Sequence, residues 1–304
     1  MTRLSSNLIF FIISALLISC SAEDSGKKEA AALAENVQDS TDITMAIEGL
    51  DGPEAVRYDP EQDVYFISNF TGGGTDRDSN GFITKALPDG TIDSLRFMVG
   101  TEENPLHAPR GMFITGDTLW AADVDGVHGF NKGTSEQLKF IDFTSFEPGF
   151  LNDIVQGTDG NLYVTDTGKS AVYQIQNGTP SIYADSLEAA PNGITLNPEN
   201  GNLVLAPWGG ATVFPSYSTD NSGTQVYAEA QSGGNFDGIE FVDGRLIAAS
   251  QVDSSLHILQ NGMDRILIHT PGRPADIGID TKRNLVLVPY IALNRVDVWQ
   301  LPNE

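Results

Sequence analysis

The stretch FLNDIVQGTDGNLYVTD, residues 150–166, holds the pattern that decides the fold. A polar pair, Asn152-Asp153, opens a short apolar strand, a Gly/Asp turn follows, and NLYVTD reads as a second strand. The same grammar returns as GPEAVRYDPEQDVYFISN (52–69), APRGMFITGDTLWAAD (108–123), APNGITLNPENGNLVLAP (190–207), FDGIEFVDGRLIAASQ (236–251) and RPADIGIDTKRNLVLVPY (273–290). Further alternating segments follow, such as AVYQIQNG (171–178) and LHILQNG (256–262), and the Asn-Gly pairs are hairpin signals. Four short strands in a unit of about forty residues is the spacing of a propeller blade. Helical periodicity is absent after residue 41, which argues against α/β alternatives, and a jelly roll or sandwich would not repeat one pattern six times. The expectation is an all-β, six-bladed β-propeller over residues 42–304. Blade six ends one strand short, after Val296–Trp299, so ITMAI (Ile43–Ile47) is expected to pair with it and close the ring, removing an exposed edge.

Upstream of the repeats, Arg3 and the apolar run Asn7–Ile18 lead to Leu17-Ile18-Ser19-Cys20. Residues 1–20 read as a signal peptide whose end resembles the lipobox of bacterial lipoproteins, with Cys20 as the site of lipid attachment. Cys20 is the chain's one cysteine, so no internal disulfide can form. Residues 21–41 are small, charged and aperiodic, as in a flexible tether. Export to the cell envelope is expected. Ser21-Ala22 lacks the Asp that retains many lipoproteins in the inner membrane, which favours the outer membrane. The net charge of −24 excludes nucleic acid as a partner and leaves the lipid as the link to a membrane. A monomer is expected.

In a propeller the innermost strand of each blade lines the central channel, and its first residues face one mouth. Alignment of the six repeat starts places Glu54, Arg110, Asn152, Asn192, Asp237 and Asp276 there, with Asp153 beside Asn152. Glu54, Asn192 and Asp237 offer oxygen alone, which suits a hard divalent cation, Ca²⁺ first and then Mg²⁺ or Mn²⁺, and does not suit zinc. The bland alternative is that these residues only form turns at the strand starts. Arg110, the one cation in the ring, either neutralises a carboxylate or grips a substrate. Asn152 either donates to a substrate oxygen or completes the metal shell. His107 is close enough in sequence to reach the mouth as a base, whereas His128, His257 and His269 fall on later strands. Trp120 and Trp299 are expected in the core between blades. Trp208 and the loop after it, within 207–223, could overhang the mouth, as could the glycine-rich insertion at 70–81.

These repeat starts resemble the senescence-marker-protein/gluconolactonase family and, more distantly, the paraoxonase-like lactonases. In that family a Glu in the first blade, an Asn in an Asn-Gly motif and an Asp in an Asp-Gly motif bind one divalent cation. The matching residues are Glu54 in GPEAV, Asn192 in APNGITL and Asp237 in FDGIEF. The family's substrate-contacting Asn corresponds to Asn152. Phe150 stands where gluconolactonases carry Arg, which leaves sugar-lactone specificity open. Ala55 stands where paraoxonase-like enzymes carry the Asp of a second calcium, so one cation is expected.

The resemblance implies a metal-dependent hydrolase of a lactone or similar ester. The cation would polarise the carbonyl, the carboxylates Glu54 and Asp237 would take part in catalysis with Asp237 activating water, and Asn152 and Arg110 would orient substrate. The alternative is a non-catalytic binding propeller of the NHL-repeat type.

Overall fold

The computed structural model describes residues 43–220 and 222–302, so the expected signal segment, Cys20 and the tether lie outside the described residues. Strand β1 (Ile43–Glu48) precedes the first blade, which holds β2 (Pro53–Asp59), β3 (Val64–Asn69), β4 (Phe82–Ala86) and β5 (Ile92–Met98). Blade two has β6 (Met112–Thr115), β7 (Thr118–Ala122), β8 (Gly126–Asn131) and β9 (Gln137–Asp142). Blade three has β10 (Leu151–Gln156), β11 (Leu162–Asp166), β12 (Ala171–Gln176) and β13 (Thr179–Ala184). Blade four has β14 (Pro191–Leu196), β15 (Leu203–Pro207), β16 (Val213–Tyr217) and β17 (Thr224–Glu229). Blade five has β18 (Phe236–Val242), β19 (Arg245–Ser250), β20 (Ser255–Gln260) and β21 (Met263–His269). Blade six has β22 (Gly278–Asp280), β23 (Leu285–Tyr290) and β24 (Arg295–Gln300), and β1 is its fourth strand.

The ring is therefore closed as expected: β1 runs antiparallel to β24, from Ile43 opposite Trp299 to Glu48 opposite Arg295. The chain thus hides its two sheet edges in each other. The QNG segments form two-residue hairpins, with Asn177-Gly178 and Asn261-Gly262 all at positive φ.

Strand alternation explains how blades stack. Val64 and Phe66 of β3 pack toward blade two, while Tyr65 and Ile67 pack toward blade six. A blade interior is thus apolar on both faces, which is why its strands read as nearly continuous hydrophobic runs. Six clusters result, one between each pair of neighbouring blades. Trp299 joins the cluster between blades five and six, and Trp120 packs on the one between blades two and three, as expected.

Blades one to three are entered through a corner whose backbone N–H groups meet side-chain acceptors. Asn69 Oδ1 accepts the Asp51 N–H at 3.0 Å, Asp123 accepts those of His107 and Ala108 at 2.8 and 2.6 Å, and Asp166 accepts those of Gly149 and Phe150 at 2.9 and 2.7 Å. The polar residue that ends the second strand therefore fastens the incoming crossover. Among the described residues no helix is long and apolar enough to cross a membrane.

Candidate functional site

The innermost strands β2, β6, β10, β14, β18 and β22 touch their neighbours in a closed ring. Each begins with the same irregularity. Between Pro53 and Val56 the first strand spends three steps while its partner, from Asn69 to Ile67, spends two. The same extra residue occurs between Leu151 and Ile154, Pro191 and Ile194, and Phe236 and Ile239. In blade two, Arg110 and Gly111 share Ala122 as partner, and in blade six Ala275 pairs with Pro289 before Gly278 pairs with Leu287. These are β-bulges, which re-aim side chains out of the pleat. Glu54, Arg110, Asn152, Asn192, Asp237 and Asp276 each lie in one.

In blades two, four and five the residue after the polar one is glycine for a steric reason. A Cβ on Gly193 would stand 2.4 Å from the Asp237 carbonyl oxygen, and one on Gly238 would stand 2.4 Å from Asp276 Oδ1. Neighbouring inner strands approach too closely for a side chain there.

All six polar residues of the ring are buried. Their hydrogen bonding is incomplete in a consistent way. Glu54 Oε2, Asn152 Oδ1, Asn192 Oδ1, Asp237 Oδ1 and Asp276 Oδ1 have no hydrogen-bond partner. Their other polar atoms are partly engaged: Asn152 Nδ2 donates to Thr167 Oγ1 at 3.0 Å, Gln251 donates to Asp237 Oδ2 at 2.6 Å, and Arg57 donates to Asp276 Oδ2 at 2.8 Å. Buried oxygens left unpaired are costly unless something binds them.

The electrostatics agree. Burial, then the nearby charges of Asp237 and Asp276, push the Glu54 carboxyl well above its usual range, and Arg110 opposes this. Burial and Asp276 push Asp237 up to about 8, against the bond from Gln251. Converged carboxylates with no cation between them hold protons instead. Among the described residues no three Asp, Glu, His or Cys side chains cluster as a metal site by themselves. The open oxygens of the axial set come from both carboxylates and amides, all of them hard donors.

Arg110 is not free at the mouth. It lies with its guanidinium 3.8 Å above the Phe150 ring and 5.6 Å from that of Phe70. Nη1 donates to the Leu151 carbonyl at 2.8 Å, and Nη2 donates to the Gly74 carbonyl. Burial lowers its pKa to about 10, with Glu54 pulling the other way. Residues 70–81 do cover this side of the mouth. They are fastened to blade two by Arg77–Asp125 at 2.6 Å and by the Ser79 N–H on His107 Nδ1 at 3.1 Å. His107 is therefore a lid anchor. His128 and His257 pair with Asp123 and Asp264 inside their own blades. Of residues 207–223, the part after Val213 is largely strand, and only the segment following Pro207 stands at the mouth, with Gly209 and Gly210 bonded to Asn235.

Arg110 is the one cation among the six ring residues, but Arg57, three residues beyond Glu54, lies deeper in the channel, outside the aligned ring positions. Its signal was a charged residue flanked by Val56 and Tyr58 within the inner strand. Glu240 stands at the same step of blade five, 3.9 Å from Arg57. A separate cleft of about 680 Å³, with Leu187, Pro215 and Val226 in its wall, lies at the outer edge of blade four, away from the axis.

No family profile matches the sequence. No curated protein matches it either. Solved structures do match. A putative gluconolactonase is 16% identical with a TM-score of 0.65, covering 88% of this chain and 97% of its own. A gluconolactonase from Xanthomonas campestris is 16% identical, with a TM-score of 0.65 over 90% and 93%. Virginiamycin B lyase from Staphylococcus aureus is 12% identical, with a TM-score of 0.61 over 85% and 99%. At such identities the likeness establishes the fold alone, a six-bladed β-propeller.

Proposed function

We propose that the protein is a metal-dependent hydrolase that opens a lactone or similar ester at the propeller mouth. The observation that carries the reading is the set of buried oxygens without hydrogen-bond partners on one rim. Glu54, Asn192 and Asp237 would hold one divalent cation, Ca²⁺ ahead of Mg²⁺ or Mn²⁺. Asn152 fits the shell, because its Nδ2 is spent on Thr167 and its Oδ1 is left over. Such an ion supplies polarisation of the ester carbonyl.

The chain's own groups do the rest. A ring carboxylate, Asp237 or its neighbour Asp276, accepts the proton of the attacking water. The lid at 70–81 limits water at the mouth. Arg110 reaches a substrate when the Gly74 carbonyl yields, so its orienting role is coupled to movement of that loop. Likeness to gluconolactonases supports a lactone as substrate. Lipid on Cys20 would place this activity at the cell envelope.

Calorimetric titration of the full-length protein with Ca²⁺, beside Glu54→Gln and Asp237→Asn, tests the site, and a panel of lactones and esters tests the reaction. One-to-one binding lost in both variants, with calcium-dependent hydrolysis, is the expected result. Binding without turnover moves the reading to a ligand-binding propeller. No binding of Ca²⁺, Mg²⁺ or Mn²⁺ ends the hydrolase mechanism.

A further inference from the structure

Beneath the polar ring lies a second tier of the channel. Three residues beyond each ring position stand Arg57, Phe113, Val155, Thr195, Glu240 and Ile279. Only Arg57 and Glu240 carry charge, so one guanidinium faces the whole floor of the site.

Every N–H of that guanidinium is used. Nε donates to the Met112 carbonyl at 2.7 Å, and Nη1 donates to those of Val56 and Ile277 at 2.9 and 3.0 Å. Nη2 donates to Asp153 Oδ1 at 3.2 Å and to Asp276 Oδ2 at 2.8 Å. With Glu240 at 3.9 Å, Arg57 therefore contacts blades one, two, three, five and six. Asp153 adds the fourth: its Oδ2 accepts the Ile194 N–H at 2.9 Å, two residues beyond Asn192. Burial opposes the charge on Arg57, but Asp276 and Asp153 more than offset it and keep it protonated.

Asp276 is the link between the tiers. One oxygen is pinned by Arg57, and the other is buried, unpartnered and set against Gly238, the residue after Asp237. Its backbone N–H donates to the Glu54 carbonyl at 2.9 Å. Asp276 thus sits between the other two ring carboxylates, Glu54 and Asp237, with one oxygen still open.

We infer that Arg57 is the positioning residue of the axial site, holding Asp276 so that its free oxygen orders the outer shell of a cation held by Glu54, Asn192 and Asp237. The inference rests on the cation site proposed above. Charge and geometry make opposite demands, which makes it testable. Arg57 is a cation below a cation site, so its removal should tighten binding if charge alone matters. As a positioning residue, its removal should weaken binding.

The test is calorimetry with Ca²⁺ on full-length Arg57→Lys, Arg57→Met, Asp276→Asn, Glu240→Gln and the double variant Arg57→Lys/Asp276→Asn. Lysine keeps the charge but cannot reproduce the fork. Arg57→Lys and Asp276→Asn are each expected to weaken binding about 10–100-fold, the usual loss for an outer-shell partner. Glu240→Gln, which removes a charge of opposite sign from the same tier, should change it less than about threefold, an effect within about 0.5–1 kcal/mol. In the Asp276→Asn background, Arg57→Lys should add almost nothing, because the two act as one unit. Wild-type affinity in Arg57→Lys, or tighter binding in Arg57→Met, overturns the inference. So does an undiminished Arg57→Lys loss in the double variant. Should Arg57→Met fail to fold, the lysine and asparagine variants decide. Absence of binding in the wild type instead removes the cation site itself.

Discussion

Buried acidic residues occur in two places in this propeller, and they are treated oppositely. At the blade corners, Asp166 receives N–H groups from Gly149, Phe150 and Lys169, at 2.9, 2.7 and 3.0 Å. Asp123 is similarly occupied, and although burial works to raise its pKa, the bonds from His128, His107 and Ala108 outweigh it and leave the carboxyl below its usual range. On the axis, Glu54 and Asp237 are equally buried, each keeps an oxygen without a partner, and both are pushed upward. The corner carboxylates complete the backbone's hydrogen bonding and stabilise the fold. The axial ones are a cost to the fold, which the proposed cation would relieve.

The largest test of this contrast is affinity. Glu54→Gln or Asp237→Asn should lower calcium affinity by more than about 100-fold, exceeding an outer-shell loss. Asp166→Ala should leave that affinity nearly unchanged. The same Asp166→Ala change should cost about 2–4 kcal/mol in chemical denaturation, because it strands three backbone donors. Comparable stability loss at Glu54→Gln would erase the distinction.

Calcium itself should stabilise the protein by about 2.7 kcal/mol at a hundredfold excess over Kd. Without calcium, the sign of the pH dependence follows from the raised carboxyls. Their contribution is fully present below the unfolded pKa, near about 4, and is lost as pH rises through the folded value, about 8 for Asp237. Calcium-free melting temperatures should therefore fall from pH 5 to pH 8.5, and saturating calcium should cancel the fall. In calcium-free buffer at pH 8, Glu54→Gln should be more stable than wild type by about 0.5–2 kcal/mol, the common gain when a functional strain is removed. Arg77→Ala, at the exposed lid anchor, should change stability by less than about 1 kcal/mol, and its effect should be read in access to the mouth.

Much of the architecture was legible because the blade is a local unit. Alternating strands, Asn-Gly hairpins and a repeating start motif specify four strands at a time, and the leftover ITMAI segment told where the ring would close. The ring positions were legible too, since Glu54, Asn192 and Asp237 stand at equivalent points of the repeat. Arg57 is not legible as a channel residue, because the groups that hold it, Asp153 and Asp276, come from two other blades. For Arg110 the sequence leaves both a carboxylate and a substrate open as partners, because nothing local shows that Phe70, Gly74 and Phe150 converge on it from two other blades. The lid was visible as an insertion, but its fastening through His107 and Asp125 was not.

The sequence by itself determined the six-bladed propeller, its closure and the residue types at the mouth, because each depends on periodicity and on contacts within a blade. Only the tertiary structure decided which of those polar atoms are satisfied. Bulges aim them at the axis, glycines let the inner strands approach, and one arginine spends five donors on its neighbours. Whether a buried oxygen is spent or left open depends on groups contributed by other blades, tens of residues away in the chain, and no local pattern encodes that.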